Sequence, residues 1–170
     1  MSSPALFGLS VAVSFVAWGA VAKYYIWPAL QEHSTAEALR PILLLHGFRF
    51  EGLAFLLPGV VSAELPAAFA RSAAYGDFTT AILALLALAA RRTRMGTVLT
   101  WVFNIAGTTD LLFAFCQGYR TSLADTPGLL GAGYFIVTVF VPLLLITHGL
   151  VFRILLRRKA VGSPRELSTA

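Results

Sequence analysis

Cysteine and charge are both scarce in this chain of 170 residues, and each scarcity excludes a class of protein. The single cysteine, Cys116, excludes an intramolecular disulfide and any zinc or iron–sulfur site built from several cysteines. Charged residues make up 12% of the chain, against roughly a quarter in soluble domains, whereas 58% of the residues are hydrophobic. This composition predicts an integral membrane protein with one helical domain over residues 1–170.

The basic residues stand beside apolar stretches instead of covering a surface. The runs RRTR (residues 91–94) and RRK (residues 157–159) flank apolar segments, which is typical of residues that set membrane topology. Nucleic-acid binding needs a basic face on a soluble domain, so nucleic acid is not an expected partner. The first ten residues contain no Lys or Arg, and the first apolar segment is therefore expected to be a retained helix and not a signal peptide.

Apolar stretches long enough to cross a bilayer, at roughly 20 residues each, occur five times. They cover about residues 5–27, 41–62, 77–90, 95–117 and 131–156. We expect Pro28 to end the first, Pro58 to bend or end the second and Pro142 to kink the fifth, because proline removes a helical hydrogen bond. The third is short and is open to extension back through Ala73. The sequence therefore predicts an all-α bundle of five transmembrane helices.

The distribution of basic residues between the loops predicts the orientation. Arg40, the run at residues 91–94 and the basic C-terminal tail lie on one side, while the opposite loops hold only Arg71 and Arg120. Basic loops stay in the cytoplasm, which predicts an N-out, C-in protein surrounded by lipid. The stretches HGFRFEGLAFLLPG, LPAAFA and YGD resemble those of small bacterial membrane proteins. That resemblance, with the small Ala/Leu-rich chain, implies a multi-pass inner-membrane protein and implies no function.

The second segment is unusual because it carries three ionisable residues within six positions: His46, Arg49 and Glu51. A charged side chain near the bilayer centre costs at least ~2.5–3.5 kcal/mol, so such residues mark a site by default. At 100° per residue, His46 and Arg49 lie about 60° apart, whereas Glu51 is about 160° from Arg49. Each therefore needs water or a partner on another helix. The alternative is a structural lock, with Arg49 bonded to carbonyl groups and Glu51 protonated.

The fourth segment adds a polar stripe at spacings of three and four, formed by Trp101, Asn104 and Thr108. Gly107 beside this stripe permits another helix to approach closely. Asp110 lies about a third of a turn away, and it could pair with Arg49, with Arg120 or with water. For Asn104, a hydrogen bond across helices is an equally good explanation.

Two further residues complete the candidate site. His148 on the fifth segment lies at about the depth of His46 and adds to the expected ligand or proton site. Asp77 follows Gly76 at the start of the predicted third helix, where a carboxylate commonly caps the first turn. The alternative for Asp77 is an outer gate that faces Asp110.

Four functions remain open from these residues, and no catalytic residue is assigned. The first is a site for a small molecule, a lipid, a proton or an ion, in a transporter or sensor that a homo-oligomer would suit. The second is an intramembrane enzyme for a lipid or isoprenoid substrate, in which Glu51 or His46 moves a proton and Trp101 stabilises a cation. The third is an accessory subunit of a membrane complex.

The fourth is a b-type haem protein, because His46 and His148 lie at matching depths on different helices. Arg49 would then pair with a haem propionate. A metal site that adds Glu51 to this pair is not expected, since Glu51 points about 140° away from His46.

Overall fold

The chain is mainly helical in the part that the computed structural model describes, which is residues 1–161, with side chains as far as Arg157. Five main elements follow one another: α1 (Ser3–Gln31), α2 (Thr35–Gly47) with a 3₁₀ segment (Phe48–Leu56), α3 (Ala67–Ala90), α4 (Arg94–Arg120) and α5, which begins at Gly133 and ends at Val161. A 3₁₀ turn, Pro127–Leu130, precedes α5. The expected all-α class is confirmed.

Four of these elements, α1, α3, α4 and α5, are long and apolar enough to cross a membrane. The second predicted segment differs from them, because it is not one regular helix. Its α-helix has 13 residues and continues as a nine-residue 3₁₀ segment. Four helices thus support a multi-pass helical membrane protein, and the second segment is a helix that changes type part-way.

Two predictions about helix ends are wrong. Pro28 does not end the first helix, which continues to Gln31. A π-helical turn at Ala22–Ile26 lies just before this proline and lets the helix continue. A proline removes one hydrogen bond, and a wider turn before it accommodates that loss. The same device recurs in α5, where the π-helical segment Ile136–Phe140 precedes Pro142.

The third helix begins at Ala67, ten residues before Asp77, with Pro66 at its N-cap. The interpretation of Asp77 as an N-cap is therefore wrong, and Asp77 lies in the middle of a 24-residue helix. The Ala-rich residues 67–76 form the first turns of this helix, because alanine is a strong helix former.

The 3₁₀ segment lies against α3 and sets which of its residues are buried. Three residues per turn bring positions i and i+3 onto one face, and Arg49, Gly52 and Phe55 are the buried ones. This face runs antiparallel to α3, since Gly52 packs on Asp77 and the Phe55 ring lies 5.5 Å from the Phe69 ring.

Two apolar cores occupy the two ends of the bundle. One contains Leu43, Ala84, Phe103 and Val151, near the turns that join α1 to α2 and α3 to α4. The other contains residues such as Phe55, Phe69, Leu123 and Leu130. We call this second end the loop end, because it carries the connections at residues 57–66 and 121–132. A buried polar layer separates the two cores.

Candidate functional site

Arg49 is the centre of the polar layer and is only 1% exposed. Its Nε and Nη2 atoms both lie 2.7 Å from Asp77 Oδ1, and Nη2 also donates to Asp110 Oδ2 at 2.7 Å. Its Nη1 atom donates to the Gly107 carbonyl at 3.4 Å and to His148 Nε2 at 3.1 Å. One guanidinium therefore joins the 3₁₀ segment to α3, α4 and α5.

Glycines permit these side chains to meet. A Cβ atom at Gly76 would overlap the Asp110 carboxylate, so only glycine lets α4 place Asp110 there. A Cβ at Gly107 would lie 2.6 Å from His148 Cε1 and 2.7 Å from the Thr80 methyl group. The predicted close helix approach at Gly107 is confirmed.

The hydrogen bonds of His148 fix its protonation. An arginine can only donate, so His148 Nε2 accepts from Arg49 and carries no proton. The other nitrogen, Nδ1, therefore carries the proton and donates to Asn104 Oδ1 at 2.7 Å. The Asn104 amide in turn donates to the His148 carbonyl at 3.3 Å. The histidine is neutral, and Asn104 makes the cross-helix bond that was the alternative to a ligand role.

His46 is fully buried beside His148, and their ring centroids are 4.3 Å apart. Its Nε2 lies 2.9 Å from the Thr147 hydroxyl, which donates its one proton to the carbonyl groups of Leu143 and Leu144. Nε2 of His46 is therefore the donor, and Nδ1 is left as a lone pair. Within the described residues, this Nδ1 has no hydrogen-bond partner. Phe103 packs on both rings.

The histidine pair does not fit a bis-histidine haem. Axial ligands must stand on opposite faces of a porphyrin, but these two buried rings are in direct contact. The two Nε2 atoms are also occupied, by Thr147 and by Arg49. No group of three or more His, Cys, Asp or Glu side chains suited to a metal ion occurs in the described part of the chain.

The charges of the cluster do not balance. Asp77 Oδ1 and Asp110 Oδ2 both lie 2.7 Å from the same Arg49 nitrogen, so they are no more than 5.4 Å apart. At an effective dielectric of 20, a carboxylate about 4 Å from the guanidinium attracts it by about 4 kcal/mol, and two carboxylates no more than 5.4 Å apart repel each other by at least about 3 kcal/mol. The attraction within the trio of Arg49, Asp77 and Asp110 therefore exceeds the repulsion. When both carboxylates are ionised, however, one negative charge remains without a partner.

A cavity of about 210 Å³ ends on these two carboxylates. It extends from Asp77 and Asp110 toward Tyr119 and Leu123 at the loop end, and its other walls are almost wholly apolar. Five of the lining side chains are aromatic: Phe7, Phe55, Phe69, Phe115 and Tyr119. The cavity is therefore an aromatic pocket with two carboxylates in its wall. We call this part of the wall, formed by Asp77 and Asp110, the floor, and Arg49 lies behind it.

Comparison with known proteins places the chain in a family. Residues 6–156 match the family described as a domain of unknown function, DUF8737. The chain belongs to the DUF8737 family. No curated protein and no solved structure matches it significantly.

In this DUF8737 protein, most of the residues expected at the site do meet. They are His46, Arg49, Asn104, Asp110 and His148. Asp77 joins them in the role that was its alternative, beside Asp110. Of the three partners considered for Asp110, namely Arg49, Arg120 and water, the structure shows Arg49.

Three expected residues lie elsewhere. Glu51 is exposed, and no hydrogen bond or ion pair within residues 1–157 involves it. Trp101 packs on Phe152, with ring centroids 5.9 Å apart, away from the cluster. Thr108 donates to the Asn104 carbonyl at 2.7 Å, a bond within its own helix.

Sequence reasoning missed the aromatic cavity and the ring packing of Phe103. Phe69, for example, is 4% exposed and lines the cavity. One usable signal was present in the three-residue spacing of Arg49, Gly52 and Phe55, which fits a 3₁₀ turn as well as one face of an α-helix.

Proposed function

We propose that this protein binds a small, largely apolar molecule in the cavity, and that the charge state of the Arg49–Asp77–Asp110 cluster is coupled to binding. Such a protein would serve as a transporter or a sensor. The observation that carries the proposal is the floor of the cavity, where two carboxylates share one guanidinium.

A purely structural lock accounts for only part of this arrangement. One carboxylate is enough to neutralise one buried guanidinium, and a second buried charge costs several kcal/mol of desolvation. The second carboxylate and the open cavity beside it are therefore better explained by a partner that enters: a proton, a cation or a charged ligand. Buried Asp and His side chains in membrane helices commonly mark such paths.

The intramembrane-enzyme alternative has less support. Its assigned proton carrier Glu51 and cation stabiliser Trp101 both lie away from the cavity and the cluster. His46 remains buried near the cluster, but its ring contacts other side chains and is not among the residues that line the cavity.

The membrane setting is part of the proposal. The α-helical and 3₁₀ parts of the second segment rise by about 20 Å and about 18 Å, which together exceed the ~30 Å core of a bilayer. We therefore propose five crossings, an N-out, C-in orientation from the basic loops, and a bacterial inner membrane. Large apolar side chains exposed on the helices, such as Val16, Leu86, Ile105 and Phe113, suit a surface in contact with lipid.

The test is ligand-dependent thermal unfolding of the purified protein in detergent, with small single-ring molecules that are neutral, cationic or anionic. At ten times its dissociation constant, a ligand stabilises the folded state by about 1.4 kcal/mol, which raises the melting temperature by about 3–6 °C. Binding should also depend on pH, because protons and ligand act on the same carboxylates.

The matched variants are Ala114→Leu, which fills the cavity wall, and Ala89→Leu, which adds the same side chain on an exposed face. Ala114→Leu should remove the saturable stabilisation and Ala89→Leu should keep it, which separates cavity binding from partition into detergent. Equal responses of the two variants would mean that the molecules do not bind in the cavity.

A further inference from the structure

The ligand charge can be argued from the same cluster, on the basis of the proposed function. We infer that the cavity takes an organic monocation: a small apolar body that carries one protonated amine or quaternary ammonium group. The geometry behind this is an aromatic pocket whose floor has one carboxylate more than it has guanidinium groups.

Arg49 offers nothing to an anionic ligand. A guanidinium has five N–H groups, and five contacts use them: two to Asp77, one to Asp110, one to the Gly107 carbonyl and one to His148. The side chain is fully buried and is not part of the cavity wall. An anion that entered the cavity would meet carboxylates and no free donor.

The carboxylates, in contrast, keep capacity for a cation. Each uses one oxygen for Arg49, and within the described residues Asp77 Oδ2 and Asp110 Oδ1 accept no hydrogen bond. Both side chains line the cavity, with exposed fractions of 9% and 14%. Asp77 Oδ2 lies against Gly52 and Asp110 Oδ1 lies against Gly76. A carboxylate accepts on two oxygens, so an ammonium group can bind to the part of each carboxylate that faces the cavity without displacing Arg49.

No other charged group of the polar layer compensates the extra carboxylate. The groups that face it are Arg49, His46 and His148, and His148 is neutral because its Nε2 accepts from Arg49. His46 donates from Nε2 to Thr147 and packs on the His148 ring, and Glu51 is exposed. A monocation at the floor would bring the trio to neutrality, as would one proton.

The cavity walls suit the same ligand. The faces of aromatic rings attract cations, and quaternary ammonium groups are commonly bound in aromatic cages. The volume of about 210 Å³ is below the ~300–1,000 Å³ of typical ligand pockets. The ligand is therefore small, of the size of one aromatic ring with a short amine.

The experiment compares three molecules of one shape with the full-length protein in detergent. Benzyltrimethylammonium is the cation, neopentylbenzene replaces its nitrogen by carbon, and phenylmethanesulfonate is the anion. Equilibrium titration at pH 7 should show the cation binding at least about tenfold more tightly than its neutral isostere, which corresponds to one 1.4 kcal/mol step, and no binding of the anion. Affinity for the cation should fall as the pH is lowered, because protons compete for the carboxylates.

The matched variants each remove one negative charge. Asp110→Asn should reduce the preference for the cation to about twofold or less, whereas Glu51→Gln, on the exposed face, should leave it unchanged. A retained preference in Asp110→Asn would overturn the inference. If that variant does not fold, the three ligands with the unmodified protein decide the question.

The outcomes separate the two proposals. Equal binding of the cation and the neutral isostere in the cavity would overturn the inference about charge and keep the proposed function. Tighter binding of the anion would overturn the same inference. Binding of none of the three would overturn both.

Discussion

The buried guanidinium gives the sharpest test of the site, through replacement of Arg49 by Ala and by Lys. Arg49→Ala leaves two carboxylates in the polar layer without their shared partner. Removing one partner of a buried pair costs about 3–5 kcal/mol, and here it strands two groups. We therefore expect the free energy of unfolding to fall by at least this amount.

Arg49→Lys should be less harmful, because it keeps the charge. An ammonium has three donors in place of five, so it cannot serve both carboxylates, the Gly107 carbonyl and His148 together. One or two buried acceptors would be left without a donor, at about 1–3 kcal/mol each. The expected order of stability is wild type, then Lys, then Ala.

The assay is thermal or denaturant unfolding of the purified protein in one detergent at pH 7. A loss of 3–5 kcal/mol lowers the melting temperature of a chain of this size by roughly 6–20 °C. As an internal control, Arg49→Met combined with Asp77→Asn and Asp110→Asn removes all three charges. That triple variant should recover most of the stability lost in Arg49→Ala, since no buried charge is left unpaired.

Two results would refute this reasoning. Losses below about 1 kcal/mol in both Arg49→Ala and Arg49→Lys would mean that the carboxylates reach water, where ion pairs contribute little. A triple variant that is no more stable than Arg49→Ala would mean that the unpaired carboxylates are not the cause of the loss in Arg49→Ala.

The remaining predictions concern packing and the exposed groups. Gly107→Ala should lower stability by about 1–3 kcal/mol, because its Cβ would meet the His148 ring, whereas Gly19→Ala, with nothing within 4 Å, should be neutral or slightly stabilising; thermal unfolding of the two variants compares them. Glu51→Gln should change neither the melting temperature nor ligand binding, and a loss of binding would return Glu51 to the site. The hydrogen bond from Arg92 lowers the pKa of Glu37. This contact therefore stabilises the folded state at pH values above the ordinary pKa of a glutamate, and the stabilisation is lost as the pH falls through the lowered pKa of Glu37. Carboxyl NMR titration should show the Glu37 pKa rise in Arg92→Gln, and an unchanged titration would mean that the contact does not persist in solution.

The helical class and most of the polar layer could be predicted because both depend on local properties. Apolar length marks the spans, and an ionisable residue within one indicates a buried site regardless of what it contacts. This reasoning located Arg49, Asp110 and His148. It also offered the pair of Asp77 with Asp110, although as the second choice, because the true start of α3 lies in an Ala-rich loop without a strong start signal.

The cavity could not be predicted, because it depends on which helices are neighbours. Phe7 of α1, Phe69 of α3 and Phe115 of α4 are far apart in sequence, and no periodicity links them. The same limit explains the haem hypothesis. Similar depth on two helices is compatible with rings on opposite faces of a porphyrin and equally with rings in contact, and only the helix packing distinguishes the two.

The change from α-helix to 3₁₀ helix at Phe48 connects the local sequence to the site. In a 3₁₀ helix Arg49 and Gly52 lie on one face, one turn apart, so the residue beside the guanidinium is a glycine on which Asp77 packs. In an α-helix the same two residues would diverge by about 60°, and Leu53, at about 40° from Arg49, would share the face toward α3. Close packing at Gly52 and the ion pair of Arg49 therefore support each other. Gly52→Leu should consequently weaken the Arg49–Asp77 contact, although it changes no charge.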